Sequence, residues 1–177
     1  EIMYAKIIPT TLEEEAKKSL DEKIKDIYDE TISKHVDSAN LERLVLFEHY
    51  HKAYFTDIQK ADELKEEINT AKKAFGIADG EKILFAYDGA VIKSPFSKGL
   101  VLSDKKFYLT DSNTSPERNI AVSFDEIGEI TLAKKMGVYY IEFGKYSISI
   151  IISPDKDAKQ LYEFLKKAIL LVKTGEN

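Results

Sequence analysis

The last hundred residues constrain the fold most. From about Lys82 to Ser153 short apolar runs alternate with polar residues and turns, and then one amphipathic stretch, Asp155 to Val172, ends the chain. Ile83-Leu84-Phe85-Ala86-Tyr87 reads as a strand stopped by Asp88-Gly89, and Ala90-Val91-Ile92 as a short strand or its continuation. Gly99 to Leu102 and Phe107 to Thr110 read as strands joined by the tight turn Asp104-Lys105-Lys106. After the polar loop 111–118, Ile120, Val122 and Phe124 alternate with Ala121 and Ser123, and Ile130 and Leu132 flank Thr131. Turns at 134–137 and at Gly144-Lys145 bracket Val138 to Phe143, and Tyr146, Ile148, Ile150 and Ile152 then alternate with serines. A period of two with one apolar face is the mark of half-buried antiparallel strands.

The closing stretch starts on Ser153-Pro154-Asp155, where serine caps, proline suits the first turn and aspartate meets the positive end of the dipole. Ala158, Leu161, Tyr162, Leu165, Ala168, Ile169 and Val172 make its apolar face, and Gly175 follows as a stop. One helix after a run of antiparallel strands predicts a small β-barrel capped by that helix.

Residues 10–75 have a different period. Thr10 with Glu13, and Thr11 with Glu14, fit capping boxes. Leu12, Ala16, Leu20, Ile24, Ile27, Tyr28, Ile32 and Val36 then recur at steps of three or four. After turn chemistry at 37–40, a second helical pattern begins near Leu41 and runs through Leu44, Phe47, Tyr54, Ile58, Leu64, Ile68 and Phe75, either as one helix or with a break near Thr56-Asp57. Two amphipathic helices with a short connection predict an antiparallel helical hairpin. Gly76 to Gly80 brings the first glycines of the chain, which places a boundary there: residues 1–76 as the hairpin region and 77–177 as the barrel with its helix. The expected class is α+β.

The C-terminal region resembles the bacterial pleckstrin-homology-like domains. Gly80-Glu81-Lys82-Ile83-Leu84, the run Gly99 to Asp104 leading into Phe107-Tyr108-Leu109, the run Val122 to Ile127, and the helix Leu161 to Leu171 carry the resemblance, over roughly the last 95 residues. It implies a barrel that docks ligands or partners and has no catalytic centre. The chain departs from eukaryotic pleckstrin-homology domains in having no tryptophan. It also lacks their basic phosphoinositide motif: Lys93 and Lys98 flank the corresponding early loop, and two lysines do not carry a lipid function across.

Charge and chemistry narrow the function classes. Net charge is −5, with 12 basic and 17 acidic residues in 1–75 and 14 of each in 76–177. Arginine occurs only as Arg43 and Arg118. Phosphate neutralisation needs clustered cations, so nucleic acid is not an expected partner. Absence of cysteine rules out disulfides and thiolate metal sites and fits a reducing, cytoplasmic setting. Opening at Glu1, the chain reads as a trimmed product from which an upstream leader or anchor could have been removed. His49 and His51 are two apart, roughly 200° round a helix, and so cannot share a metal. His35 suits a helix end. The carboxylate pairs Asp125-Glu126 and Asp155/Asp157 have structural positions at a strand end and a helix start, and neither a nucleophile elbow nor a phosphate loop is present. No metal, cofactor or enzymatic activity is expected.

What remains are loop lysines and aromatics. Lys93, Phe96, Lys98, Lys134 and Lys135 are the expected contact residues, on a loop rim or strand edge. The expected function is a non-enzymatic binding or scaffolding module with a protein partner or a second copy. The alternative is peripheral association with an anionic membrane surface through the lysine-bearing loops.

Overall fold

The computed structural model describes residues 18–33, 45–46, 58–90, 94–150 and 155–174. Helix α1 (Leu20–Tyr28) is capped by Ser19, whose hydroxyl accepts from the Glu22 amide at 3.3 Å, and it runs on into a π turn, Asp29–Ser33. Strand β1 (Val45–Leu46) and helix α2 (Ile58–Phe75) follow. Next come β2 (Ile83–Asp88), β3 (Gly99–Ser103), β4 (Phe107–Asp111) and β5 (Arg118–Val122). A 3-10 turn, Phe124–Glu126, leads to β6 (Ile130–Lys135), β7 (Val138–Phe143) and β8 (Tyr146–Ile150), and α3 (Asp155–Thr174) closes the chain.

The strands form two antiparallel sheets, in the orders β1-β2-β3-β4-β5 and β6-β7-β8. The α+β class and the closing helix therefore match expectation. The closed barrel does not form among the described residues, because no ladder joins the two sheets. They meet instead at a polar corner between the end of β4 and the start of β8. There the Ser112 amide donates to the Ser147 carbonyl at 2.8 Å, and the Ser147 amide donates to Asp111 Oδ1 at 3.2 Å.

The helical hairpin is also corrected. Ile24, Tyr28 and Ile32 of α1 and its π turn enter the main core, with Phe85, Leu100, Leu102, Phe107 and the inner face of α3. Ile68, Ala71 and Phe75 of α2 enter a second core with Ile83, Ala86, Val101 and Tyr108. The two cores lie on opposite faces of the larger sheet, since successive side chains of a strand point to opposite sides. Leu100 and Leu102 serve the first core and Val101 the second. Every residue of β3 and β4 is buried as a result. Helix α2 thus packs on the larger sheet, while α1 packs between α3 and that sheet's other face, and the two do not share a core.

Two further readings change. Val45 and Leu46 pair with Tyr87 and Ala86 as an edge strand, so the second helical pattern does not run unbroken from Leu41; α2 is described from Ile58, and the expected break at Thr56-Asp57 lies outside the described residues. The first helix begins after Ser19, while its expected caps at Thr10 and Thr11 lie outside the described residues, as do His35, His49 and His51.

Two buried phenols link the sheet to pH. Tyr87 is held above the usual phenol range by burial and then by the nearby carboxylates of Asp88 and Asp157. Tyr108 is raised by burial and by its 2.5 Å hydrogen bond to Glu81. The unfolded chain releases these protons near pH ~10 and the folded chain only at higher pH. Stability from these groups is thus complete below about pH 10 and is lost as pH rises above it; denaturant midpoints taken across that range should fall on the alkaline side. Ile24 is fully buried in the main core, so Ile24→Ala should lower stability by about 2–5 kcal/mol, in a single unfolding transition measured with urea. An unchanged midpoint would detach α1 from this core.

Candidate functional site

Of the five residues expected to make contacts, the four described do not converge on one site. Lys93 lies outside the described residues. Phe96 is no loop-tip contact: it is 1% exposed, its ring meets Phe75 edge-on at 6.5 Å, and it belongs to the second core. Its backbone sits at φ 58, a conformation that non-glycine residues rarely adopt. Burial holds it there, together with Asp88 Oδ1, which accepts from its amide at 3.1 Å, and the Asn119 side chain, which donates to its carbonyl at 3.2 Å.

Lys98 is tied into the fold, donating to Ser149 Oγ and pairing with Glu117 at 3.3 Å. Ser149 stands opposite Tyr140 in the β7–β8 ladder, and the Lys135 ammonium lies 5.6 Å from the Tyr140 ring centre. Lys98 and Lys135 thus reach the same outer face of the small sheet, but Glu117 and Glu142 (3.6 Å from Lys135) offset their charge. Lys134 lies over the Tyr139 ring at 5.1 Å. This outer face therefore carries paired rather than concentrated positive charge. Among the described residues, no three His, Cys, Asp or Glu side chains gather as a metal site would require.

A different place has the form of a binding site. Strand β6 is the outermost strand of the small sheet. The Glu129 carbonyl accepts from Gly144 at 3.0 Å on the β7 side, and the Tyr162 hydroxyl lies 3.5 Å from the Ile130 carbonyl on the other. Alternation in an antiparallel pair then turns the amides and carbonyls of Ile130, Leu132 and Lys134 to the open side. Beside the start of this edge runs a groove of about 300 Å³, between the 127–131 segment and α3. Tyr162, Lys166, Ile169, Leu170 and Lys173, spaced along one helix face, form its second wall. Leu170 is 60% exposed. Lys166 stands over the Tyr162 ring at 5.7 Å, and Lys173 donates to the Ile127 carbonyl at 2.9 Å, which ties the end of α3 to the strand entrance.

Nothing in the sequence marked this groove. Its walls come from two segments thirty to forty residues apart, without a shared motif. The only local signals were an apolar Leu170 off the buried stripe and Gly128.

Compared with protein-family models, with curated proteins and with solved structures, the chain matches none. No helix among the described residues is long and apolar enough to cross a membrane.

Gly128 fixes the groove entrance by close backbone approach. A Cβ there would lie 2.8 Å from the Gly144 Cα, and Gly144 itself sits at φ +66. Neither backbone can give way easily, so Gly128→Ala should destabilise the protein by about 1–3 kcal/mol in urea titration, and an unchanged midpoint would contradict this packing.

Proposed function

We propose that the chain is a non-enzymatic binding module on a pleckstrin-homology-like fold, and that it takes up an extended segment of a partner protein along the open edge of β6, beside α3. Three features support the fold reading: the four-stranded meander β2 to β5, the three-stranded meander β6 to β8, and the closing helix packed against both. Strand β1 and the helices α1 and α2 are additions that cover the larger sheet.

The observation that carries the binding reading is a strand edge that no described strand fills, paired with an adjacent groove. An added strand gains main-chain hydrogen bonds from Leu132, Lys134 and the Ile130 amide, the Ile130 carbonyl being held by Tyr162, and alternate side chains then drop into the groove. Leu170 and Ile169 offer apolar contact to one such side chain. Lys166 and Lys173 stand against the single acid Glu129 in the lining, so charge favours an acidic segment. The chemistry on offer is backbone pairing, apolar contact and cationic selection, which suits recognition.

Selection of a random phage-displayed peptide library on the whole chain tests this, with the binders measured by calorimetry. Expected winners alternate apolar and acidic residues and weaken at least about tenfold against Leu170→Glu, an exposed position where a buried apolar contact is lost. Winners that bind wild type and Leu170→Glu alike would place recognition elsewhere, and a selection that enriches nothing would count against the module reading.

A further inference from the structure

Among the described residues two large apolar side chains stand out as exposed, Leu170 at the groove and Met136 at the far end of β6. Met136 and Gly137 are the two central residues of the β6–β7 hairpin turn, at φ 51 and φ 80. A two-residue turn with both central φ values positive favours Asn-Gly or Gly-Gly. Methionine at the first position accepts a disfavoured backbone, and its side chain, at 103% exposure, packs on nothing. The fold gains nothing from that side chain, and such outliers cluster where a ligand is met.

The neighbours show which ligand chemistry fits. Lys134 and Lys135 precede the tip and are exposed, and Tyr139 and Tyr140 follow two and three residues after the turn glycine, half-buried on opposite faces of β7. Lys135 shares its charge with Glu142 at 3.6 Å, but its side chain is 63% exposed, and such surface pairs exchange readily for another anion. From Met136 to the levels of Tyr139 and Tyr140 is roughly 7–10 Å along the hairpin, the depth over which an interfacial element spans headgroups and upper acyl chains. Lys134 stands level with Tyr139 across the hairpin and Tyr140 lies one residue further from the tip, so an apolar tip is backed by cations and amphipathic rings together, the groups that sit at a water–bilayer boundary.

We propose that the β6–β7 hairpin tip is a membrane-insertion element, placing Met136 among the acyl chains of an anionic bilayer while Lys134 and Lys135 meet lipid phosphates. The groove at the other end of β6 plays no part in this contact, so the two proposals stand or fall separately. One apolar side chain and two cations give a weak, salt-sensitive hold, which adds to a second anchor rather than replacing one.

The absence of tryptophan from the chain makes a clean test possible. The full chain carrying Met136→Trp is mixed with vesicles of phosphatidylcholine containing phosphatidylglycerol, or with phosphatidylcholine alone. The expected result is a blue shift of emission, with quenching by brominated acyl chains, on the anionic vesicles only, fading as salt rises. In vesicle sedimentation, Met136→Asn should bind about tenfold more weakly than wild type, because the inserted apolar side chain is gone. Its thermal midpoint should be equal or higher, since asparagine tolerates the turn conformation. Lys134→Gln and Lys135→Gln should each cost about fivefold. An unshifted emission, equal binding to pure phosphatidylcholine, or Met136→Asn binding like wild type would overturn the proposal. So would a change in solution mass in Met136→Asn without vesicle binding by wild type, which would assign the tip to a protein contact.

Discussion

Phe164 projects from the middle of α3 onto Phe85, with ring centres 4.3 Å apart, and meets Tyr28 of α1 edge-on at 6.2 Å. One side chain thereby joins the last helix, the larger sheet and the first helix within a single core. Around it Ala158, Leu161, Leu165, Ala168 and Ile169 are buried along the same stripe. A helix locked by such a stripe cannot rotate, because one residue of slip turns each side chain by about 100° and would expose the rings. The rotation of α3 decides that Lys166, Leu170 and Lys173 stand beside β6. The groove is thus a consequence of core packing on the far side of the helix.

The second constraint is the double coverage of the larger sheet. Leu100 and Leu102 face α1 and α3, while Val101 and Tyr108 face α2. A sheet buried on both sides is rigid and has few strand edges to offer. The small sheet differs. Its inner face carries Ile141, Phe143, Ile148 and Ile150, its outer face is partly polar, and β6 borders no other strand among the described residues. Both binding proposals fall on this less covered sheet, one at the start of β6 and the other at its end.

Strand existence and order were legible because the periodicity of two survives wherever one face is polar. Ser147 and Ser149 between Tyr146, Ile148 and Ile150 give β8 clearly, and Ile148 and Ile150 do point inward, but both serines are buried as well, so the strand is not half-exposed as its alternation suggests. The burial of β3 and β4 on both faces was not legible as such, because Gly99 to Leu102 is a continuous apolar run whose second covering element lies far away in sequence. The apolar stripes of α1 and α2 were visible, but a stripe does not name its partner. Helix α2 found a sheet face, and α1 found α3 together with the sheet, where the sequence pattern suggested that the two would pack on each other. Strand β1 hides inside a helical pattern, since Val45 and Leu46 are set by pairing with Tyr87 and Ala86 and not by local propensity. The stripe read on α3 left out Phe164, although it follows Leu161 by three residues. Of the expected contact residues, Phe96 was misplaced because an apolar side chain after proline looks like a loop tip until its core partner, Phe75, is known.

The central claim is that β6 presents unfilled main-chain groups to the solvent side. Amide hydrogen exchange read residue by residue tests it without any ligand. The account predicts alternation along the strand: fast exchange at Ile130, Leu132 and Lys134, and protection at Thr131, Ala133 and Lys135, whose amides turn to β7. Uniform protection along β6 in the free protein would show that the edge is already filled, and would contradict the account.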